Sequence, residues 1–316
     1  MSKSVLVMCR TPLQAFIAKK LIQSENIEIF DVVYFTYEDN PRDRYYFNCL
    51  AEFSRESVYI CSRYFKKEAL NHFFVFYRHL KFRLSSDYNT LILSSIDVFL
   101  FRMIVIRYKE SNLYTIDDGA ANIYKNSSFY KVKRSRFSSF YEKVLGAFDI
   151  LELKNRIKLH FSIYNGFDNI VECQKVKYLN PWGCIESLVS EGEVKIFVGQ
   201  PFDELVSIGV LTGDQIFKVE KYLSDLNIDF YLSHPREVKF LNIGATLVSE
   251  QIKISEELIF DICGSRKPKI YSLFSSVILN ISSSVADKFY ISISNEAGEP
   301  ERLSLVKKMG CKVVRL

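Results

Sequence analysis

The residue in this sequence best suited to chemistry on a phosphate is His234, which is followed by Pro235 and Arg236. These residues come directly after the apolar run 229–232, which reads as a strand. A histidine held in place by a proline can donate a proton to a phosphate, and Arg236 could pair with a carboxylate or a phosphate. A His-Pro pair is weak as a motif, so its place at the end of a strand carries the prediction.

Two neighbouring carboxylates follow another strand-like run, 194–198. Gly199 and Pro201 predict a tight exit from that strand, and Asp203 and Glu204 come just beyond it. Either carboxylate could act as a general base, or could be an acid at a helix start that the helix dipole stabilises. The residues alone leave both interpretations open.

A second acidic pair closes the strand-like run 112–116. Asp117, Asp118 and Gly119 stand there, and Asn122 follows one turn later. Such a sequence is common in plain turns. In a functional version, one aspartate reaches a ligand cleft while the other caps a helix or holds the loop.

Two further strand ends carry neutral polar side chains. Gln14 lies in the first turn of a helix that Thr11 and Pro12 open, and it suits a sugar hydroxyl. Ser275 and Ser276 follow the run 269–273, where hydroxyls and backbone N–H groups would bind an anion. Helix capping is the alternative at both places.

These residues must be positioned by alternating strands and helices. The predicted strands of the first half are 4–8, 31–36, 57–61, 90–93 and 112–116, and its helices are 11–23, 67–84 and 97–108. The predicted strands of the second half are 194–198, 229–232, 269–273, 289–294 and 312–316, and its helices are 214–226, 255–263 and 301–308. Strands separated by helices indicate parallel sheets, whose ligands bind beyond the carboxyl ends of the strands. We therefore predict two α/β Rossmann-like domains, 1–165 and 193–316, joined by an irregular segment, 166–192.

Composition excludes several other classes of protein. The 316 residues suffice for two domains, and 15% aromatic residues are too many for a disordered chain. The most apolar window, 98–106, is broken by Arg102, which argues against a membrane span. The start of the chain has no signal-peptide pattern, so we expect a cytoplasmic protein.

Cysteine and charge content narrow the choice further. Seven scattered cysteines without a C-x-x-C pair argue against a disulfide scaffold or a zinc site. A net charge of +5 is too small to imply a nucleic-acid partner. Neither a P-loop nor the usual dinucleotide fingerprint occurs.

Taken in order, these motifs resemble those of the bacterial sialyltransferases of glycosyltransferase family 52, which sialylate lipooligosaccharide or capsular oligosaccharide. The matching pieces are CRTPLQ at 9–14, IDDGAAN at 116–122, FVGQPFDE at 197–204, HPR at 234–236 and IYSLFS at 270–275. The resemblance implies a GT-B fold, with two Rossmann-like domains facing a central cleft. It also implies a CMP-sialic acid donor held mainly by the second domain, no metal or other cofactor, and inversion at the anomeric carbon.

The resemblance also suggests roles for individual residues. Asp203 matches the general base that deprotonates a galactose hydroxyl of the acceptor, and His234 matches the residue that assists departure of the CMP phosphate. Because Phe202 stands between Pro201 and Asp203, Glu204 and Asp118 stay as alternative bases. The implied donor contacts are Gly199, Pro235, Arg236, Glu256, Glu257, Ser275 and Ser276. The implied acceptor contacts are Gln14, Asp117 and Asn122.

Alternatives to an α2,3-sialyltransferase remain at this point. One is a GT-B transferase with another nucleotide sugar, and another is a non-catalytic, two-domain surface-binding protein. The basic run 131–136 could hold the protein against anionic lipid, close to a lipid-linked, galactose-terminated acceptor. The high Phe and Tyr content also leaves a homodimer open.

Overall fold

The computed structural model divides into two compact units, Met1–Pro181 and Trp182–Leu316. It describes residues 4–62, 68–85, 87–127, 129–130, 144, 147–182, 192–249, 252–293 and 299–316. The basic run 131–136 lies outside the described residues. Along the described ranges, no helix is long and apolar enough to cross a membrane.

The first unit is built on a seven-stranded sheet in the order β3-β2-β1-β4-β5-β6-β7, and all its neighbouring strands are parallel. The strands are β1 Val5–Cys9, β2 Phe30–Thr36, β3 Glu56–Cys61, β4 Thr90–Leu93, β5 Asn112–Ile116, β6 Ile157–Ser162 and β7 Val176–Tyr178. The helices are α1 Pro12–Ser24, α2 Pro41–Ala51, α3 Glu68–Val75, α4 Phe99–Arg107 and α5 Ile150–Arg156. A π-helical turn, Phe76–Leu80, continues α3, and 3₁₀ turns cover Gly119–Asn122 and Cys173–Lys175.

The second unit carries a six-stranded parallel sheet in the order β10-β9-β8-β11-β12-β13. Its strands are β8 Glu193–Val198, β9 Phe230–Leu232, β10 Thr246–Val248, β11 Lys267–Ser272, β12 Asp287–Ser292 and β13 Lys312–Arg315. Its helices are α6 Phe202–Ser207, α7 Gly213–Asp225, α8 Ser255–Cys263, α9 Val277–Asn280 and α10 Glu299–Lys308.

Each sheet has one switch point, where the strand order reverses. It lies between β1 and β4 in the first unit and between β8 and β11 in the second. Open α/β sheets bind their ligands beyond the carboxyl ends of the strands at such a point. The residues that follow β1 and β4, and those that follow β8 and β11, are therefore the first places to look for a site.

The division between the units lies inside the segment 166–192 that the sequence predicts to be a connection. Residues 166–181 belong to the first unit because β7 pairs with β6 and extends its sheet. The predicted helix 67–84 is observed as α3 and its π-helical extension. No helix was predicted at α2 or α5, and no strand was predicted at β6, β7 or β10.

Candidate functional site

Gln14 lies at the switch point of the first unit and is fully buried. Thr11 caps α1 by accepting a hydrogen bond from the Gln14 backbone N–H, and Gln14 Oε1 accepts from the N–H groups of Thr11 and Arg10. The same oxygen accepts from Ser94 Oγ at 2.6 Å, and Gln14 Nε2 donates to Ser95 Oγ at 2.9 Å. The Gln14 side chain therefore completes the cap of α1 and also joins α1 to the residues that follow β4.

Asp118 is the half-buried carboxylate of this cluster. Gln14 Nε2 donates to Oδ1, and Ser95 Oγ donates to Oδ2 at 3.0 Å. Burial raises the pKa of Asp118 to about 6, the nearby Asp97 adds to the rise, and the bonds from Gln14 and Ser95 oppose it. A carboxylate with a pKa close to neutral is suited to proton transfer near pH 7.

Asp117, by contrast, points into the protein and is fully buried. Its Oδ2 accepts from the Ile163 N–H at 2.7 Å, and its Oδ1 lies 3.0 Å from His160 Nε2. The other ring nitrogen of His160 lies 2.8 Å from Thr115 Oγ1. Asp117 therefore holds the loop after β6, and His160 is part of this internal network.

Asn122 is fully buried as well, and its Oδ1 accepts from the Asp118 N–H at 2.7 Å. Gln14, Asp117 and Asn122, the three residues predicted to contact the acceptor, thus have no exposed side-chain surface in this structure. Gln14 and Asn122 bond to Asp118, whereas Asp117 bonds to His160 and Ile163, and the contact of all three with an acceptor stays a prediction. Asp118 is the member of the cluster that a ligand can reach.

In the second unit, His234 follows β9 and is half-buried. Its Nδ1 accepts a hydrogen bond from the Arg236 N–H at 3.1 Å. In the neutral ring the proton therefore lies on Nε2, since the other nitrogen is an acceptor. Arg236 thus fixes the tautomer through its backbone, while its side chain pairs with Glu204 at 2.8 Å.

Glu237 is the functional candidate that the sequence analysis missed. It is buried, and it accepts from Tyr231 Oη, from the His234 N–H at 2.9 Å and from the Gln200 N–H. Burial raises its pKa, and these three hydrogen bonds oppose the rise. The signal available in the sequence was a carboxylate one residue beyond His-Pro-Arg. Glu237 joins the exits of β8 and β9 and holds the backbone of His234.

Gly199 and Gln200 lie at the switch point of the second unit. A Cβ on Gly199 would lie 2.4 Å from Glu237 Oε2 and 2.5 Å from Tyr231 Cε2, which explains the glycine. The Gln200 amide, with its oxygen turned toward the loop after β11, accepts from the N–H groups of Phe274 and Ser275 at 2.5 and 3.2 Å. These N–H groups, predicted as part of an anion site, are therefore directed at Gln200.

The predicted hydroxyls and acids of the second unit differ in their surroundings. Ser275 Oγ accepts from the Val277 N–H at 3.3 Å at the start of α9, and Ser276 is the N-cap residue of that helix. Asp203 is half-exposed and lies 3.7 Å from Lys239 Nζ. On α8, Glu256 is buried and accepts from Asn280 Nδ2 at 2.7 Å, whereas Glu257 is half-exposed. The contact with Asn280 thus explains why Glu256 is buried, and Glu257 has the more accessible side chain.

A cavity of about 1170 Å³ in the first unit lies at the amino ends of the strands, away from the switch point, beside Ser4, Asn89 and Asn112. Within the described ranges, no group of three or more His, Cys, Asp or Glu side chains is arranged to hold a metal ion. The polar clusters at the two switch points are therefore two candidate sites, one in each unit.

Proteins of similar sequence match the chain over most of its length. The chain is 27% identical, over 87% of its length and 88% of the relative's, to the N-acetyllactosaminide alpha-2,3-sialyltransferase of Haemophilus influenzae. It is also 27% identical, over 87% of its length and 86% of the relative's, to the CMP-N-acetylneuraminate:beta-galactoside alpha-2,3-sialyltransferase of Pasteurella multocida.

The likeness extends to a solved structure and to a family model. A UDP-N-acetylglucosamine 2-epimerase superimposes on the whole chain, covering 84% of that structure, with a TM-score of 0.52 and 9% identity. This confirms the predicted α/β fold of GT-B type with two Rossmann-like units. The model of glycosyltransferase family 52 matches residues 24–293. The chain therefore belongs to glycosyltransferase family 52.

Proposed function

We propose that this glycosyltransferase is a sialyltransferase, which moves sialic acid from CMP-sialic acid to a terminal galactose of an oligosaccharide and forms an α2,3 linkage. The observation that carries the proposal is the match to alpha-2,3-sialyltransferases along 87% of the chain. The proposed reaction inverts the anomeric carbon and needs no metal ion.

The geometry around His234 supports its proposed role at the leaving group. CMP departs as a phosphate monoester, so negative charge grows on its phosphate in the transition state. With Nδ1 accepting from the Arg236 N–H, the neutral ring of His234 carries its proton on Nε2, and this N–H is the proposed donor to that phosphate. Because Glu237 fixes the backbone of His234, the donor is positioned before the charge develops.

The remaining donor contacts are proposed from position. Arg236 is well exposed, and a guanidinium can pair with the sialic acid carboxylate or with the phosphate. Gly199, Pro235, Ser275 and Ser276 lie at the same strand ends, in reach of a bound nucleotide. Glu257, in the first turn of α8, is the more accessible candidate for the ribose, with Glu256 beneath it.

Three carboxylates are candidates for the general base, and one of them, Glu204, is paired with Arg236 at 2.8 Å. Asp203, for which the family resemblance implies the role of base, lies in the first turn of α6, and its carboxylate is half-exposed. Asp118 is held by Gln14 and Ser95 and has a raised pKa, both of which suit a base. We propose Asp203 as the base and keep Asp118 as the alternative that the same experiment must test.

The function is tested by incubating the full chain with CMP-sialic acid and lactose in the presence of EDTA. We expect release of CMP and a sialylated product, whose linkage NMR would assign. Absence of both transfer and donor hydrolysis with every terminal galactoside would overturn the proposal. A requirement for a divalent metal would overturn only the metal-independent mechanism.

The residue roles are tested by substitution. His234→Ala and Asp203→Ala should each lower kcat by roughly 10²–10⁴-fold, the usual range for a lost acid–base group, and leave CMP binding intact. Asp214→Ala, which removes an exposed aspartate from the first turn of α7, is the matched control. If Asp118→Ala loses turnover and Asp203→Ala does not, Asp118 is the base.

A further inference from the structure

One surface of the first unit has a composition that the proposed reaction does not explain. We call it the basic-aromatic face and define it as Phe74, Tyr77, Arg78, Lys81 and Phe82, on α3, its π-helical extension and the turn after it. The opposite side of this segment is buried in the core of the unit through His72, Phe76, Leu80 and Leu84. The segment is thus anchored on one side and presents the other to solvent.

The aromatic side chains of this face are unusually exposed. Phe82 is 86% exposed, Phe74 65% and Tyr77 43%. Single apolar residues on a surface are ordinary, but neighbouring large ones mark a contact surface. Phe73 packs against both Phe74 and Tyr77, and Lys81 lies over the rings of Tyr77 and Phe82, so these side chains form one continuous surface.

Cations lie directly over these rings. Lys81 Nζ is 5.1 Å from the ring centre of Tyr77 and 5.5 Å from that of Phe82. Arg78 and Arg83 are exposed beside them. Residues 69–86 contain no Asp or Glu, so no acidic side chain within this segment neutralises the face. The surface combines aromatic rings with exposed cations.

We propose that the basic-aromatic face docks the protein on a membrane of anionic phospholipid. Aromatic rings partition into the boundary between headgroups and acyl chains, and neighbouring Lys and Arg side chains pair with anionic headgroups. A second copy of the chain fits less well, because a symmetric contact through this face would bring Arg78 and Lys81 of both copies together.

The proposal does not depend on the sialyltransferase activity, so binding alone can test it. The full chain is sedimented with vesicles of phosphatidylglycerol and phosphatidylethanolamine, and separately with vesicles of phosphatidylcholine. We expect binding to the anionic vesicles, weakened by salt. The paired change Arg78→Glu and Lys81→Glu should lower that binding by more than about tenfold, since each cation contributes roughly fivefold at an anionic surface.

A second pair of changes tests the aromatic part. Phe74→Ser with Phe82→Ser should lower vesicle binding several-fold, and circular dichroism would check that the exposed substitutions leave the fold intact. The matched control is Phe217→Ser with Lys221→Glu, which alters an exposed Phe and Lys on α7. That control should bind vesicles like the wild type.

Three results would overturn the proposal. One is wild-type vesicle binding by both face variants. Another is loss of binding only when the run 131–136 is charge-reversed. The third is a face variant that binds vesicles like the wild type but sediments more slowly than the wild type in the absence of vesicles. That result would assign the face to self-association.

Discussion

Asp118 is a carboxylate whose surroundings favour its neutral form. Burial raises its pKa to about 6 from an ordinary value of 3.8. The ionised form is therefore less favourable in the folded protein than in the unfolded chain. The resulting loss of stability is absent below about pH 4, grows between the two pKa values and is complete above about pH 6. Such a cost is common where a group serves a reaction.

Replacing Asp118 by Asn should expose this cost. An amide can keep the contacts with Gln14 and Ser95 and carries no charge, so Asp118→Asn should unfold at a higher temperature than the wild type at pH 7.5. The two proteins should unfold alike near pH 4, where Asp118 is protonated. Calorimetry across this pH range measures the difference. Asp214→Asn, at an exposed site, should show no such pH dependence, and an equal response of both variants would contradict the proposed origin.

Glu237 contacts the backbone N–H of His234. Changing Glu237 should therefore have two effects that can be measured separately, one on stability and one on turnover. Glu237→Ala leaves the Tyr231 hydroxyl and two backbone N–H groups without their acceptor, which costs about 1–3 kcal/mol for a buried group. Glu237→Gln keeps most of the shape and should unfold closer to the wild type. Urea unfolding measures both costs.

Turnover provides the more specific test of Glu237, and it presupposes the proposed reaction. Glu237→Gln should lower kcat more than it raises KM for CMP-sialic acid, because His234 loses its position and the donor site remains. In a His234→Ala background the same change should have little further effect on kcat, since coupled residues are not additive. Equal losses in both backgrounds would mean that Glu237 does not act through His234.

At the scale of elements, strands and helices with a strong apolar pattern were predictable and weakly patterned ones were not. The runs that became β1 and β5 are followed by Thr11-Pro12 and Asp118-Gly119, and α8 ends at Gly264. Strand β7 is a three-residue edge strand, Val-Lys-Tyr, with too few apolar residues to show a period. Helix α2 is largely polar, although Asn40 followed by Pro41 gave a helix-start signal that the apolar pattern did not support.

The candidate site was predictable in position but not in orientation. Parallel topology placed Gln14, Asp118, His234 and Ser275 at strand ends, as expected. Which aspartate of the pair 117–118 faces solvent depends on Ile163 and His160, more than 40 residues further along the chain. Gln14 likewise meets Ser95 at a separation of 81 residues. Local sequence cannot encode such contacts, because they form only when the sheet assembles.

The exit of β8 gives a test of close packing between elements. Gly199→Ala would place Cβ 2.4 Å from Glu237 Oε2 and against the Tyr231 ring. Since these side chains are buried and hydrogen-bonded, the overpacked site should lose about 1–3 kcal/mol of unfolding free energy.

Gly213→Ala is the matched control for that change, because a Cβ at Gly213 meets nothing within 4 Å at the start of α7. It should unfold like the wild type, or up to about 1 kcal/mol more stably. Thermal unfolding of the two variants side by side makes the comparison. Equal stabilities would show that the Glu237 and Tyr231 side chains can move aside.

For the whole molecule, charge is informative through its placement rather than its total. A net charge of +5 on 316 residues says little about a partner. The acid-free segment 69–86 concentrates exposed cations beside aromatic rings on the first unit. The second unit carries Arg236 and His234 at its strand ends, where an anionic donor is proposed to bind. The two charged regions therefore suit two different anionic partners.

Nucleotide selectivity of the full chain tests the donor assignment without requiring turnover. A ligand that binds only the folded protein stabilises it, by about 2.7 kcal/mol at a hundred times its Kd. We expect CMP, with EDTA present, to raise the unfolding temperature, and UDP and GDP to have little effect.

Arg236→Ala should reduce the CMP-dependent shift, because a guanidinium within reach of the phosphate is lost, whereas Lys218→Ala on the exposed side of α7 should not. Differential scanning fluorimetry compares all three proteins directly. Stabilisation by UDP or GDP, and not by CMP, would contradict the proposed donor. The donor would then be a UDP-sugar or a GDP-sugar. The family membership would stand in that case, because it rests on the match along residues 24–293 and not on the donor.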